Sequence, residues 1–155
     1  MVTWQLTIDA NDPARLVEFW APVLGYEVQP PPDGFATQND YYRSIGVSED
    51  ELDPVGDGTD RIFDPRGEGP KIWFQAVPDI KSGKNRFHLD IYPTGRDRSL
   101  PLEERRRIVD AKVAELVARG ATVSRTFPDD FGEQLTDGHY FVTMLDPEGN
   151  EFCVA

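Results

Sequence analysis

The chain is poor in the residues that most often announce a chemistry. It has one cysteine, Cys153, and two histidines, His88 and His139. A single thiol excludes an intrachain disulfide framework and any CxxC metal knuckle. Positive charge is also scarce: 16 Lys and Arg stand against 28 Asp and Glu, a formal charge of −12. Nucleic-acid phosphates and anionic membrane surfaces both require clustered Lys and Arg, so neither partner is expected. No run approaches the ~18 apolar residues of a membrane span. The opening residues MVTWQLTIDAND have neither the basic nor the apolar region of a signal peptide, and the expected compartment is the cytoplasm. What is present is a 39% apolar fraction in 155 residues. That is too apolar for a disordered acidic chain and long enough for one self-sufficient domain.

Periodicity supplies the elements. Met1–Asp9 alternates, with Val2, Trp4, Leu6 and Ile8 on one face, and predicts a half-buried strand. Asp12-Pro13 opens a helix whose stripe is Leu16, Phe19, Trp20, Val23 and Leu24; Gly25 stops it, and Pro22 predicts a kink. Trp4, Phe19 and Trp20 are all assigned to sheet–helix packing. A short strand follows at 26–29. Thr37 with Asp40 resembles a capping box for a short helix ending near Gly46, and Ser48 with Glu51 suggests one more turn. Residues 48–69 hold eight acids and read as a solvated loop, with a strand at 60–64. Lys71–Val77 is apolar on both faces and predicts an interior strand.

The second half repeats this order. Arg86–Tyr92 alternates, Phe87, Leu89 and Ile91 against His88, Asp90 and Tyr92. A polar linker leads to Pro101 and a helix from Leu102 to Arg119, striped by Ile108, Val109, Val113, Leu116 and Val117. Strands follow at 121–126, 140–145 and 151–154, the last two joined by the turn Asp146-Pro147-Glu148-Gly149-Asn150. In each half a helix ends at a glycine that leads straight into a strand: Leu24-Gly25-Tyr26-Glu27-Val28 and Arg119-Gly120-Ala121-Thr122-Val123. That is a weak internal repeat of half the chain length, the mark of a duplicated module.

These residues resemble a known family. Asp12-Pro13, Phe19-Trp20, Leu24-Gly25-Tyr26, the strand Asn85-Arg86-Phe87-His88-Leu89-Asp90 and the terminal Asp146-Pro147-Glu148-Gly149-Asn150-Glu151-Phe152 are similar to the glyoxalase-like, bleomycin-resistance-like branch of the vicinal oxygen chelate superfamily. The resemblance implies an α+β fold: two paired βαβββ modules forming a curved, cup-like mixed sheet with helices on the outer face. It implies one domain, 1–155, with module one at 1–80, an acidic insertion at about 33–69, and module two at 84–155. Its members include glyoxalase I, epimerases, extradiol dioxygenases, thiol transferases and metal-free drug-binding proteins, so the fold does not choose the function. A homodimer is expected on the same ground.

Carrying over the family's metal-ligand positions gives Gln5 and His88 on the first strand of each module, and Gln75 and Cys153 on the last. Alternation puts all four opposite each strand's main apolar stripe. The family set is His and Glu, so two amides, one imidazole and one thiol are a poor set for a dication. Zinc accepts His88 and a Cys153 thiolate but would lack two good ligands. Glu151, two residues before Cys153 on the same face, offers a carboxylate to a shifted site. The expectation is a metal-free cavity that takes a small molecule, with no cofactor. The alternative is a lyase or isomerase that uses His88 as general base, oriented by Asp90, with or without a metal. Trp73 and Tyr140 read either as aromatic cavity wall or as plain packing. His139 reads as a surface residue, and Arg105-Arg106-Arg107 as a solvated helix face.

Overall fold

The structure is a computed structural model that describes residues 2–54, 56–128 and 138–155. The chain divides into two compact units, Met1–Ile80 and Lys81–Ala155. The first has strands β1 (Gln5–Ala10), β2 (Glu27–Val28), β3 (Arg61–Phe63) and β4 (Lys71–Ala76), with helices α1 (Pro13–Leu24) and α2 (Gln38–Ser44). Its sheet runs β1-β4-β3-β2; β1 is parallel to β4 and the other pairs are antiparallel. The second has β5 (Leu89–Ile91), α3 (Leu102–Ala118), β6 (Thr122–Phe127), β7 (Phe141–Leu145) and β8 (Glu151–Val154). Its sheet runs β5-β8-β7-β6, again with only the first pair parallel. The α+β class and the paired βαβββ order are those expected. No helix among the described residues is long and apolar enough to cross a membrane.

Each unit packs one sheet face against one helix. In the first, Leu16, Phe19 and Trp20 of α1 are buried with Ile62, Ile72 and Phe74. Asp12 Oδ1 accepts the Arg15 N–H at 3.1 Å, Pro13 opens the helix, and Gly25 ends it at φ 67°. In the second, Val109 and Leu116 of α3 are buried with Val142, Met144, Phe152 and Val154. Val117, expected in that stripe, is exposed: only the seven-residue pair Val109 and Leu116 meets the sheet fully.

Two strand starts differ from expectation. β1 begins at Gln5, opposite Lys71, because the preceding Pro70 has no N–H to extend the ladder. Trp4 therefore lies outside the strand and is 64% exposed, which corrects its assignment to the core; Met1 falls outside the described residues. β5 begins at Leu89, opposite Phe152, since β8 itself starts only at Glu151. The Glu151 N–H is taken by Asn85 Oδ1 at 3.2 Å rather than by a strand partner. Phe87 is consequently 89% exposed.

The acidic segment is less solvated than its composition suggests. Buried Asn39 donates to Asp53 O and Gly56 O, and buried Gln38 to Gln29 O and Pro30 O. Asp64 is buried at a turn where its carboxylate accepts the N–H groups of Arg66, Glu68 and Gly69. Those bonds, led by the Arg66 N–H and helped by the Arg66 guanidinium, hold its pKa down to about 2 from the ordinary 3.8. A depressed carboxylate stabilises the fold fully above its unfolded value and loses that contribution as pH falls through the folded one. Wild-type stability should therefore fall between about pH 4 and pH 2 more steeply than that of Asp64→Asn. Urea midpoints across that range check it; parallel slopes would remove Asp64 from the acid response.

Candidate functional site

The face of each sheet not covered by its helix carries the polar positions. In the first unit the register sets Gln5 opposite Lys71, Thr7 opposite Trp73, and Asp9 opposite Gln75. Gln5 and Gln75 are thus four residues apart along the strand direction, about 13 Å, and do not form a pair. Trp73 is engaged: its Nε1–H donates to Asp60 Oδ2 at 2.8 Å, and the Arg61 guanidinium lies 4.9 Å from its ring. The Tyr42 hydroxyl also donates to Asp60 Oδ2, at 3.0 Å, and Arg61 pairs with Asp60 Oδ1 at 3.3 Å. Burial pushes the Asp60 carboxyl up against the pull of Arg61. These contacts orient the indole, while Asp60 Oδ1 accepts no hydrogen bond among the described residues.

In the second unit the register sets Asp90 opposite Cys153, and Cys153 opposite Thr143. The structural counterpart of Cys153 is therefore Trp73, opposite Thr7, and not Gln75, as the carried-over pattern had it. On this face a cleft of about 940 Å³ opens wholly within the second unit. It is lined by His88, Asp90, Thr143, Glu151 and Cys153, with Tyr92, Tyr140 and Phe141 as its aromatic part. Its rim carries Arg96, Arg98, Arg105 and the exposed His139.

His88 Nε2 lies 3.2 Å from Asp90 Oδ1, with both side chains partly exposed. The Tyr92 hydroxyl donates to Asp90 Oδ2 at 3.3 Å. Cys153 Sγ is 3.6 Å from Thr143 Oγ1. Burial pushes the Cys153 thiol above its ordinary value, which keeps it a thiol and argues against a nucleophilic role. Glu151 is ion-paired to Lys84. The Tyr140 hydroxyl donates to Asp110, and the Arg106 guanidinium lies 4.5 Å from its ring. Phe141 stacks on Phe127 at 4.9 Å.

The arrangement brings His88, Asp90 and Cys153 together: one ligand atom of each lies within 4.8 Å of the others. Among the described residues a magnesium or manganese ion would find one available carboxylate there, since Glu151 is ion-paired to Lys84, and that set does not fit a hard dication. A nitrogen, an oxygen and a sulfur are donors that zinc accepts, once the raised thiol gives up its proton. Tyr92 and Thr143 were not singled out from sequence. Tyr92 continues the alternation of His88 and Asp90 and could have been found that way. Thr143 is reached only through the β7–β8 register.

A family model described as a glyoxalase-like domain matches residues 5–155. The chain belongs to that family. Its place is in the vicinal oxygen chelate superfamily, and solved glyoxalase-like structures share the fold. The glyoxalase/bleomycin resistance protein/dioxygenase family enzyme from Burkholderia phytofirmans PsJN is 20% identical, with 97% of this chain and 94% of that chain covered and a TM-score of 0.53. A possible glyoxalase from Bacillus cereus is 15% identical, with 99% and 97% covered and a TM-score of 0.53. A fosfomycin resistance protein from Listeria monocytogenes, solved with Mn(II) and 1S,2S-dihydroxypropylphosphonic acid, is 13% identical, with 99% and 92% covered and a TM-score of 0.54. At such identities the likeness of this glyoxalase-like chain to them is one of fold. No curated protein matches it in sequence.

Proposed function

We propose that this glyoxalase-like protein is a cytoplasmic homodimer that binds a small organic molecule in the cleft of its second unit, without a resident metal. The observation that carries the reading is the cleft itself: about 940 Å³, with Tyr92, Tyr140 and Phe141 beside His88, Thr143, Cys153 and a set of charged side chains. In such a cleft the aromatic rings supply contact area and the polar groups orient a ligand. The raised Cys153 thiol and the commitment of Glu151 to Lys84 weigh against a dication. The homodimer rests on the superfamily likeness.

The second reading, a lyase or isomerase, is favoured by the His88–Asp90 contact. A carboxylate 3.2 Å from Nε2 favours the proton on that nitrogen and leaves Nδ1 to take one from a substrate. Thr143 and Tyr92 fix the groups on either side, Cys153 and Asp90.

Nuclear magnetic resonance with neutral planar fragments such as benzamide tests the reading. Expected are saturable shifts at Asp90, Thr143 and Cys153 that are unchanged by a chelator. His88→Asn should abolish any turnover while leaving binding within about threefold, since general-base loss acts on the chemical step. Stoichiometric zinc in protein purified without chelator, lost in Cys153→Ala, would overturn the metal-free reading. Light scattering that shows a monomer at micromolar protein would overturn the dimer.

A further inference from the structure

The rim of the cleft has a charge pattern that small-molecule binding alone does not require. The chain carries −12 overall, yet among the described residues the cleft's side chains set Arg96, Arg98 and Arg105 against Asp90, Asp97 and Glu151, a formal balance of zero. The acids are each used within the protein. Asp90 faces His88 and Tyr92, Glu151 faces Lys84, and Asp97 Oδ1 accepts from the Ser99 N–H and hydroxyl. The arginines differ. Arg105 donates to the carbonyls of Leu100 and Gly138, which accept without neutralising it. Among the described residues Arg96 lies against the Tyr92 ring alone, its guanidinium 3.9 Å from the centroid. Arg98 makes no hydrogen bond or ion pair among the described residues. Elsewhere in this unit arginines do find acids, as Arg107 does with Glu104 and Arg119 with Glu115.

The backbone under Arg96 points the same way. Gly95 and Arg96 have φ of 62° and 61°, and the Asp97 N–H reaches Thr94 O at 3.1 Å. Two successive positive φ values are the signature of a type I′ turn, whose second central position favours glycine. Arg96 is the only non-glycine with positive φ among the described residues. A long cation is thus held where the turn chemistry asks for no side chain, and the turn projects it over an aromatic ring at the cleft edge. Strain of this kind is kept where the side chain has a use.

We propose that the cleft takes a small organic anion, a planar body bearing a carboxylate or a phosphonate-type group, with Arg96 and Arg98 holding the anionic end. The proposal rests on the reading of the cleft as a ligand site and names its substrate class. Planar guanidinium forks match such groups in two bonds at once. The body then lies toward Tyr92 and Phe141, with its far end at His88 and Cys153.

The test compares phenylphosphonate, benzoate and neutral benzamide by titration, with the same resonances followed. At least one anion should bind about tenfold tighter than benzamide, the worth of one good charged hydrogen bond, and the gap should shrink in high salt. Arg98→Gln should close most of the gap. Arg96→Gly should do the same while leaving the thermal midpoint unchanged or higher, because glycine relieves the turn. Equal binding of all three compounds would overturn the anion proposal and leave the cleft reading standing. An anion preference that survives both substitutions would likewise overturn it. No shift at the cleft with any compound would overturn both.

Discussion

Phe152→Ala is expected to cost the second unit about 3–5 kcal/mol, enough to put much of the protein at risk of unfolding. Phe152 is 0% exposed and sits on β8, between β5 and β7, with Leu89 and Met144 as its register partners. Its ring faces the side of the sheet on which α3 packs Val109 and Leu116. Its register partners are held in hydrogen-bonded strands, so the surroundings close only partly on the space left behind. The lost transfer energy then adds to an unfilled cavity. Urea denaturation followed by circular dichroism should show a lower midpoint. A loss under about 1 kcal/mol would mean that the core can collapse around alanine, contrary to its close packing. The substitution also bears on function, because Cys153 is the next residue and points to the opposite face. Binding in the cleft should fail with the fold, and recover in Phe152→Leu, which keeps most of the volume.

The alternation of single strands was enough to find the sheet faces. It placed His88 and Asp90 together and set Cys153 on the open face. It failed where a strand's length depends on its partner. Trp4 and Phe87 continue the alternation of their segments, but Pro70 and the Asp146–Asn150 turn remove the ladder they would have joined. Pairing across strands was equally hidden. Gln75 and Cys153 look alike by position in their strands, yet the register makes Trp73 the counterpart of Cys153 and leaves Gln75 beside Asp9. The rim arginines were out of reach for a different reason. A guanidinium in a polar linker reads as solvated, and only the backbone torsion at Arg96 separates it from an ordinary surface residue. One signal was present and unread: Asp64-Pro65-Arg66-Gly67 and Asp146-Pro147-Glu148-Gly149 mark the same turn before β4 and before β8.

That shared turn leads to the second large effect. Asp146→Ala should destabilise the second unit by about 2–6 kcal/mol, taking roughly 1–3 kcal/mol for each of the two backbone donors left without its acceptor. Asp146 is 3% exposed, and its Oδ1 accepts the N–H of Glu148 at 3.0 Å and of Asn150 at 2.9 Å. The Asn150 side-chain amide adds a bond to each carboxylate oxygen, at 3.2 and 3.1 Å. Backbone bonds alone do not replace this set, although Asp146 N–H reaches Asn150 O at 2.8 Å and Gly149 N–H reaches Asp146 O at 2.9 Å. Alanine leaves the Glu148 and Asn150 donors facing a half-buried space, whereas Asp146→Asn retains an oxygen acceptor and should recover most of the loss. The turn also fixes where β8 begins. If it loosens, the β7–β8 register is the first thing to soften, because a one-residue slip would turn Cys153 to the core and Phe152 to water. Hydrogen exchange should therefore speed up at Thr143 and Cys153 in Asp146→Ala, even where the unit stays folded. Equal urea midpoints for the alanine and asparagine variants would show that the carboxylate is dispensable and that the backbone bonds hold the hairpin by themselves.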